Sequence, residues 1–303
     1  MNRREFLESS SATLVGVAML RLPSLAQQAT TPPATAFNEI RRGVGYFTGQ
    51  GGTIGYLVNG DGAIAVDSQF PATAGACVEG LKQKAPKGID LLINTHHHGD
   101  HTGGNPIFKP VVRHIVCQEK CLELHKKTAA AATNPVPQAF ADVTFGESWS
   151  TMLGDDKVWA YYNGKGHTSG DAIIVFEKAN VVHMGDLMFN RVHPRLDFAA
   201  GGSARNWIKV LSKVAKRHRD AVFIFGHAKA GALVTGPAKE LEYFRDYLSR
   251  VVDIVQKGVK AKKSKEELVK TIEVPGFPDH VSSGQVLTLA GILGSIYDEI
   301  TAK

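Results

Sequence analysis

Cysteine is scarce in this chain, which argues against a disulfide-stapled fold. Three cysteines occur in 303 residues, an odd number without the regular spacing of disulfide-rich secreted domains. Cys117 and Cys121 are four positions apart across a predicted strand-to-helix junction, which is poor geometry for a bridge. We therefore expect Cys77, Cys117 and Cys121 to be buried thiols, although their spacing does not fix their redox state.

Long apolar runs and a nucleic-acid signature are also lacking. No stretch approaches the ~18 uninterrupted apolar residues of a membrane span, so we expect no span once the N-terminal segment is removed. The net charge is +6, but much of the excess lies in a lysine run at 257–265 without interleaved aromatic residues, which favours a solvated loop over a nucleic-acid surface. No Gly-x-Ser-x-Gly elbow occurs. A small molecule is therefore the expected partner, and the oligomeric state is unknown.

The first residues predict an export signal. Arg3 and Arg4 form a twin-arginine pair, a mildly apolar run follows at 11–20, and Ala26 ends a small-residue cleavage site. Residues 1–26 resemble a Tat-type signal peptide, with an amphipathic N-terminal helix as the alternative. Such a signal implies a periplasmic or secreted bacterial protein. Residues 27–36 are expected to be a flexible leader and residues 37–303 a single domain.

The rest of the chain alternates short apolar runs with helical spacing. Residues 54–67 predict a hairpin, and a helix, a buried strand at 90–93 and further elements follow. A second group of strands begins near residue 149, and the last predicted helix spans 283–300. Because strands followed by helices occur about twice, the order predicts an α/β domain with two sheets covered by helices on their outer faces.

The densest chemical signal is the segment 96–101, which reads His-His-His-Gly-Asp-His. It offers five potential metal ligands in six residues, directly after a predicted buried strand. Imidazole nitrogens and carboxylate oxygens are ligands that zinc prefers, and a hydrolytic zinc keeps one position open for water. In α/β sheets, ligands bind where strands end. A metal-binding loop is therefore predicted here.

Three more candidate ligands follow predicted strands. His167 lies in a glycine-rich turn, Asp186 follows an apolar run, and His227 does the same later in the chain. A glycine comes immediately before each of them, where its small size lets the backbone turn close to an ion. Each motif is weak alone, but the ordered set is typical of a metal site.

These motifs resemble those of the metallo-β-lactamase superfamily. HHHGDH is similar to the family's HxHxDH, GHTSGD to its third-histidine motif, MGD to its aspartate motif and FGH to its last histidine, while Asp67 matches an early aspartate. The resemblance covers roughly residues 43–231. It implies a four-layer αββα sandwich of two mixed sheets, with helices on the outer faces and a di-zinc site between the sheets.

The resemblance also implies the roles of individual residues. The implied metal ligands are His96, His98 and His167 for the first ion, Asp100, His101 and His227 for the second, and Asp186 as the bridge. Two Zn²⁺ per chain are expected, although iron or manganese would suit the same ligands. Asp67 is expected to hold a histidine or a loop by hydrogen bonding from behind the ligands.

Two such ions can share a hydroxide that attacks a carbonyl group. Asp100 is the expected catalytic residue, orienting this nucleophile as well as binding metal. Asn190 and His193, in the loop after the bridging aspartate, are candidate substrate contacts. A packing role is an equal alternative for His193.

The expected function is an exported di-zinc hydrolase that cleaves an ester, thioester, lactone or amide-like bond. Residues 95–105 are similar to hydroxyacylglutathione hydrolases and lactonase-like relatives. The alternative is a β-lactamase, which export and the turn at 164–168 favour, whereas the lack of a lysine shortly after Asp186 counts against it. A non-hydrolytic metal-binding protein or a di-iron redox protein is less favoured.

Overall fold

The computed structural model of this protein describes residues 34–302. The predicted export signal, residues 1–26, and most of the predicted leader, residues 27–36, lie outside the described residues. Strand β1 (Ala36–Arg41) begins beside the expected start of the domain. Among the described helices, none has the length and apolar content that crossing a membrane requires.

The first half of the described chain forms a mixed sheet. Its strands are β1, β2 (Val44–Thr48), β3 (Ile54–Asn59), β4 (Gly62–Val66), β5 (Ile89–Asn94), β6 (His114–Gln118) and β7 (Val143–Phe145). They lie side by side in chain order, antiparallel from β1 to β4 and parallel from β4 to β7. The helices of this half are α1 (Pro71–Lys84), α2 (Gly99–Thr102), α3 (Asn105–Phe108) and α4 (Glu119–Ala131).

The second half forms another mixed sheet. The strands of this half of the chain are β8 (Ser148–Leu153), β9 (Asp156–Tyr162), β10 (Ala172–Phe176), β11 (Val181–His183), β12 (Phe189–Asn190), β13 (Val222–Ile224), β14 (His227–Ala228) and β15 (Thr235–Gly236). The sheet order is β15-β13-β11-β10-β9-β8, and β12 pairs separately with β14. Within this sheet β11 and β13 are parallel. The helices are α5 (Ala204–Arg217), α6 (Ala238–Lys260), α7 (Lys265–Leu268) and α8 (Leu289–Thr301), and single 3-10 turns span Lys109–Val111, Gly185–Leu187 and Phe198–Ala200.

Alternating side chains divide the apolar core into layers. On β5, Leu91 and Ile93 point into the core between the sheets, whereas Leu92 packs with residues of α1. On β10, Ile174 faces the inter-sheet core and Ile173 faces the helices of the second half. Since successive side chains of a strand point to opposite faces, each sheet has one face against its partner and one against helices. The predicted four-layer αββα sandwich is confirmed.

The helices that cover the second sheet follow from their apolar spacing. On α5, Trp207, Val210, Leu211 and Val214 recur at helical intervals and are buried, which fits an amphipathic helix. The side chain of Ser203 caps the start of this helix. The apolar residues of α6 likewise recur at helical intervals and are buried, so both helices contribute one continuous face to the outer core.

The predicted start of the last helix, in the span 283–300, is wrong. Helix α8 begins only after Thr288, whose hydroxyl accepts a hydrogen bond from the backbone N–H of Gly291 at 3.0 Å. Ser283 instead forms an isolated β-bridge with Leu287. The capping threonine fixes the boundary, because its side-chain oxygen satisfies an N–H group that has no partner within the helix.

This boundary can be tested by removing each hydroxyl in turn. We expect Thr288→Ala to lower the free energy of unfolding by about 1 kcal/mol, the usual effect of losing an N-cap. Ser283→Ala, the matched control at an exposed position, should change it by less than about 0.5 kcal/mol. Urea denaturation of the metal-free protein measures both. A larger effect at Ser283 would place the helix start there instead.

Candidate metal centre

Loops at the ends of several strands bring the predicted ligands to one place. They come from the loop after β5, the turn between β9 and β10, the turn after β11 and the start of β14. The donor atoms form two groups, each within 4.8 Å: His96, His98, His167 and Asp186 in one, and Asp100, His101, His227 and Asp186 in the other. The structure thus brings all seven side chains together, and their binding of metal stays a prediction.

The three-histidine group consists of His96, His98 and His167. The Nδ1 atom of His98 lies 3.1 Å from Nε2 of His96 and 2.8 Å from Nε2 of His167. Two nitrogens bound to one tetrahedral zinc at its usual bond length lie about 3.3 Å apart. The three nitrogens are therefore spaced nearly as ligands of a single ion would be.

The aspartate–histidine group consists of Asp100, His101 and His227. The Nε2 atom of His227 lies 3.1 Å from Oδ2 of Asp100 and 3.4 Å from Nε2 of His101. His101 Nε2 lies 3.6 Å from the same Asp100 oxygen. These three distances are close to the spacing of two ligands on one tetrahedral zinc, so this group has room for a second ion.

Asp186 directs one carboxylate oxygen toward each group. Its Oδ2 lies 3.6 Å from Nε2 of His167 and 3.9 Å from Nε2 of His96. Its Oδ1 lies 3.0 Å from Nε2 of His101 and 3.3 Å from Nε2 of His227. Yet this buried oxygen has no partner with hydrogen-bond geometry among residues 34–302. A buried carboxylate oxygen without a partner is costly, and a bridging divalent metal would satisfy it, so the residues fit two such ions.

Four of the five predicted histidine ligands are held from behind through the second ring nitrogen. The supporting contacts join His96 Nδ1 to Thr95 Oγ1 at 3.1 Å, His98 Nε2 to Asp197 at 2.8 Å, His101 Nδ1 to Asp67 at 2.8 Å, and His167 Nδ1 to the Arg195 carbonyl at 2.6 Å. Such partners fix the tautomer and the ring orientation of metal-binding histidines. In the neutral ring, the nitrogen that faces the centre is therefore the one left with a free electron pair.

Asp67 connects the end of β4 to the histidine loop. Its Oδ1 accepts the backbone N–H of Thr95 at 2.7 Å, and its Oδ2 accepts the Thr95 hydroxyl at 2.7 Å and the ring N–H of His101 at 2.8 Å. Its backbone is left-handed, with φ of 66°, a conformation that aspartate tolerates better than most residues. The geometry is that of a residue which positions both a loop and a histidine.

Sequence reasoning missed Asp197, which supports His98. Its Oδ2 accepts hydrogen bonds from His98 Nε2 at 2.8 Å and from Arg195 at 3.0 Å, while Oδ1 accepts the backbone N–H of Ala200 at 3.0 Å. Although burial raises the pKa of this carboxyl, His98 and Arg195 hold the pKa well below its usual range. No local motif marks Asp197, and its place in the loop after Asp186 is the one available signal.

Two glycines let the backbone approach the centre closely. A Cβ atom on Gly226 would collide with Oδ1 of Asp186 and with the backbone of Gly185. Gly185 itself has φ of 49°, and a Cβ there would collide with the side chain of Thr95. Both positions therefore require glycine, which explains why this residue precedes Asp186 and His227 in the sequence.

Comparison with known proteins identifies the family. The family model described as "Metallo-beta-lactamase superfamily" matches residues 48–227, more than half of the chain and all seven predicted ligands. The chain belongs to the metallo-β-lactamase superfamily.

The relatives that this chain matches in the superfamily carry the names of different enzymes. A "Metallo-beta-lactamase type 2" from Elizabethkingia meningoseptica is 24% identical over 174 residues, covering 57% of this chain and 67% of its own length. A "Hydroxyacylglutathione hydrolase" from Methylococcus capsulatus is 30% identical over 134 residues, covering 44% and 47%. The solved metallo-β-lactamase from Pontibacter korlensis superposes with a TM-score of 0.61 at 17% identity over 71% of this chain and 99% of its own, which shows the shared fold.

The two histidine groups of this superfamily member differ in electrostatics. Burial lowers the pKa of His96 well below its usual value and, together with His98, lowers the pKa of His167 to about 3. Burial acts in the same direction on His101 and His227, but neighbouring carboxylates raise the pKa of His101 well above its usual value and that of His227 to about 9. In the metal-free protein at pH 7, the first pair is therefore neutral and the second pair is protonated.

The two predicted substrate contacts do not reach the centre. A cavity of about 360 Å³ opens above the donors and is lined by Gly51, Phe70, His98, Asp100, His167, Asp186, Arg195, His227, Val286 and Leu287. His193 is buried and its Nδ1 lies 2.7 Å from the Tyr247 hydroxyl, while Asn190 donates to the Leu233 carbonyl at 2.8 Å. Both side chains are engaged in packing, whereas Arg195, which was not predicted, lines the cavity.

The cysteines lie away from this cavity. Cys77, Cys117 and Cys121 are free and buried in the described part of the chain. Burial raises the pKa of the Cys77 thiol, which keeps it protonated at neutral pH. The expectation of buried thiols is confirmed.

Metal binding should displace the protons on His101 and His227. Because neighbouring carboxylates raise the pKa of His101 well above its usual value and that of His227 to about 9, we expect zinc binding to the metal-free protein at pH 7 to release about two protons. The apparent zinc affinity should fall as the pH falls, because protons compete for the same nitrogens. Calorimetric titration in buffers of different protonation enthalpy measures this release.

The His227→Asn variant provides the comparison. It lacks one of the two protonated imidazoles, so its zinc titration should release about one proton fewer. Zinc binding without proton release in the unaltered protein would contradict the charge distribution described above.

Proposed function

We propose that this protein is an exported di-zinc hydrolase that cleaves an ester, thioester, lactone or amide-like bond in a small molecule. The observation that carries the proposal is the Asp186 carboxylate, which presents one oxygen to each group of donors. Membership of the metallo-β-lactamase superfamily supports it. So does the cavity above the donors, which is open to a substrate.

The side chains provide positioning and charge around the reacting group. When bound, two zinc ions would lower the pKa of water toward ~7 and polarise a carbonyl oxygen. Asp100 lies at the cavity with 27% of its side chain exposed. Burial raises its pKa, but His101 and His227 hold the pKa well below the usual range. Asp100 is therefore a carboxylate at neutral pH, able to accept a hydrogen bond from the attacking water and orient it.

Two other residues shape the approach of the substrate. The guanidinium of Arg195 lies on one side of the cavity, where it can pair with an anionic group. The ring of Phe70 lies on the cavity wall and is 38% exposed, so it can contact an apolar part of the substrate. These two side chains would orient a substrate that has an anionic group at one end and an apolar group at the other.

β-Lactam hydrolysis is the second candidate. Its support is the relative named metallo-β-lactamase type 2, matched over 174 residues. Arg195 could take the role of a cation for the drug carboxylate, because no lysine follows Asp186 closely in the sequence. The relative named hydroxyacylglutathione hydrolase, 30% identical over 134 residues, and the similarity of residues 95–105 to such hydrolases keep thioesters and related esters ahead of lactams.

Metal content and substrate range test the proposal together. We expect the purified protein to contain about two zinc ions per chain; iron would favour a redox function. The zinc-loaded protein should hydrolyse an acyl-homoserine lactone or a thioester faster than nitrocefin, and a bis-phosphodiester least. Rapid nitrocefin turnover would make the β-lactamase alternative the better one, and no turnover of any substrate would contradict hydrolysis.

Asp100→Ala should reduce hydrolysis of the best substrate at least about a hundredfold, the scale of a lost positioned proton acceptor. Its circular dichroism should stay unchanged. The matched control is Asp155→Ala, because Asp155 is on the surface and 87% exposed; this variant should keep full activity. Retained activity in Asp100→Ala would contradict the role assigned to Asp100.

Export can be tested with the twin-arginine pair. We expect the Arg3→Lys, Arg4→Lys double variant to stay in the cytoplasm of a Tat-competent bacterium, whereas the unaltered protein is found in the periplasm with Gln27 as its first residue. Arg21→Lys, which changes an arginine outside the pair, is the control and should be exported. Normal export of the double variant would exclude a Tat signal.

A further inference from the structure

A second cavity lies beside the metal centre. Its volume is about 580 Å³, within the roughly 300–1,000 Å³ of small-molecule sites. It is bounded by the start of α1, the histidine loop, α3, α4 and the segment after α4. The lining residues are Phe70, Pro71, His97, Gly99, Thr102, Gly103, Pro106, Ile107, His125, Thr128, Ala129, Ala132, Val136, Pro137 and Gln138. We call it the α4 cavity.

The α4 cavity adjoins the cavity above the metal donors. Phe70 lines both the α4 cavity and the cavity above the metal donors. Gly99 lies between the predicted ligands His98 and Asp100, and it lines the α4 cavity. The two cavities are therefore neighbours that share Phe70 as a wall, and a molecule bound at the donors would reach the α4 cavity by passing this partly exposed side chain.

The walls of the α4 cavity select uncharged groups. Among the lining residues, all of them in the described part of the chain, there is no aspartate, glutamate, lysine or arginine. The rim is apolar, since Phe70 and Val136 are 38% and 63% exposed. Large apolar side chains with this exposure at the mouth of a cavity are typical of a binding site for an apolar group.

Two buried histidines add a limited polar character. His125 Nε2 lies 2.8 Å from Gln138 Oε1, so this pair is satisfied within the wall. His97 is 4% exposed, and its Nδ1 has no hydrogen-bond partner among residues 34–302. A polar atom of a bound molecule placed against His97 would relieve this cost. The wall thus suits an apolar group that carries at most a neutral polar atom.

We propose that the α4 cavity binds an uncharged, apolar arm of the substrate, such as a medium-length acyl chain, while the bond to be cleaved lies at the metal donors. This inference rests on the proposed hydrolase function and specifies its substrate class. Arg195, on another side of the metal-centre cavity, would then face the opposite, polar end of the substrate. The preferred substrate has a medium-length apolar acyl group on one side of the scissile bond.

Two neighbouring alanines of α4 provide a matched test. Ala129 lines the α4 cavity, whereas Ala130, the next residue, is exposed and outside the lining. A phenyl ring at position 129 would fill the space between the helix and the histidine loop, and the same ring at position 130 would point to solvent. Ala129→Phe and Ala130→Phe therefore differ mainly in whether the cavity is blocked.

The first measurement uses p-nitrophenyl octanoate and p-nitrophenyl acetate with the zinc-loaded protein. We expect the unaltered protein to prefer the octanoate ester, and the octanoate-to-acetate ratio of kcat/KM to fall at least about tenfold in Ala129→Phe. The change should appear mainly in KM for octanoate, and Ala130→Phe should keep the original ratio. An unchanged ratio in Ala129→Phe would overturn the proposal.

The second measurement does not depend on catalysis, so it separates this inference from the proposed function. The uncharged fluorescent probe N-phenyl-1-naphthylamine should bind the zinc-loaded protein and Ala130→Phe with the same Kd, and Ala129→Phe at least about tenfold more weakly. Equal binding to all three proteins, or no binding to the unaltered one, would overturn the assignment of the cavity. Probe binding without hydrolysis of either ester would count against the hydrolase function and leave the cavity assignment supported.

Discussion

The convergence of buried electron-pair donors on two points is the constraint around which this structure is organised. Asp186 shows it most clearly, because one of its oxygens is buried between His101 and His227 without hydrogen-bond geometry to either. Such an arrangement would destabilise the fold unless positive charge compensates it. In the metal-free protein the raised pKa values of His101 and His227 supply that charge as protons. Divalent ions at the same two points would supply it without protons.

The centre lies at the junction of the two sheets, so its geometry depends on how they pack. Asp67, at the end of β4 in the first sheet, holds the histidine loop, whereas Asp186 and His227 follow strands of the second sheet. Backbone hydrogen bonds cross this junction, from Ala172 N–H to the Thr95 carbonyl at 2.7 Å and from Thr53 N–H to the Gly226 carbonyl at 2.9 Å. The packing between the two sheets therefore helps to set the geometry of the metal site, because a shift of one sheet would separate the two sets of donors.

The parts of this protein that sequence predicted best are those encoded locally. The segment 96–101 places four donors on one loop, and the required glycines before Asp186 and His227 mark the other loops, so the motifs predict which side chains converge. Asp197 was missed because a single aspartate in a long loop has no local pattern, and its role depends on where the fold brings His98. Asn190, a candidate substrate contact, instead donates a hydrogen bond to the Leu233 carbonyl, and His193 takes the packing role that was its equal alternative.

The fold shows the same division between local and tertiary information. Strand β5 was predicted because its continuous apolar run leaves a clear pattern, whereas β1, whose residues are exposed or only partly buried, was not. The start of α8 was placed too early, because the boundary is set by the hydrogen bond from the Gly291 N–H to the Thr288 hydroxyl.

The histidine loop forms two surfaces at once, and this links reactivity to substrate choice. His96 and His98 turn toward the donors, while His97 between them lines the α4 cavity, because successive side chains of an extended segment point in opposite directions. Any substitution that moves this loop to reshape the α4 cavity also moves the nitrogens of the three-histidine group. Substitutions in α4 can therefore alter substrate specificity with less effect on the metal donors than substitutions in the histidine loop. Helix α4 contributes to the wall of the α4 cavity and supplies none of the seven donors. The histidine loop therefore holds metal donors in place, whereas residues of α4 can change and alter which substrates the α4 cavity accepts.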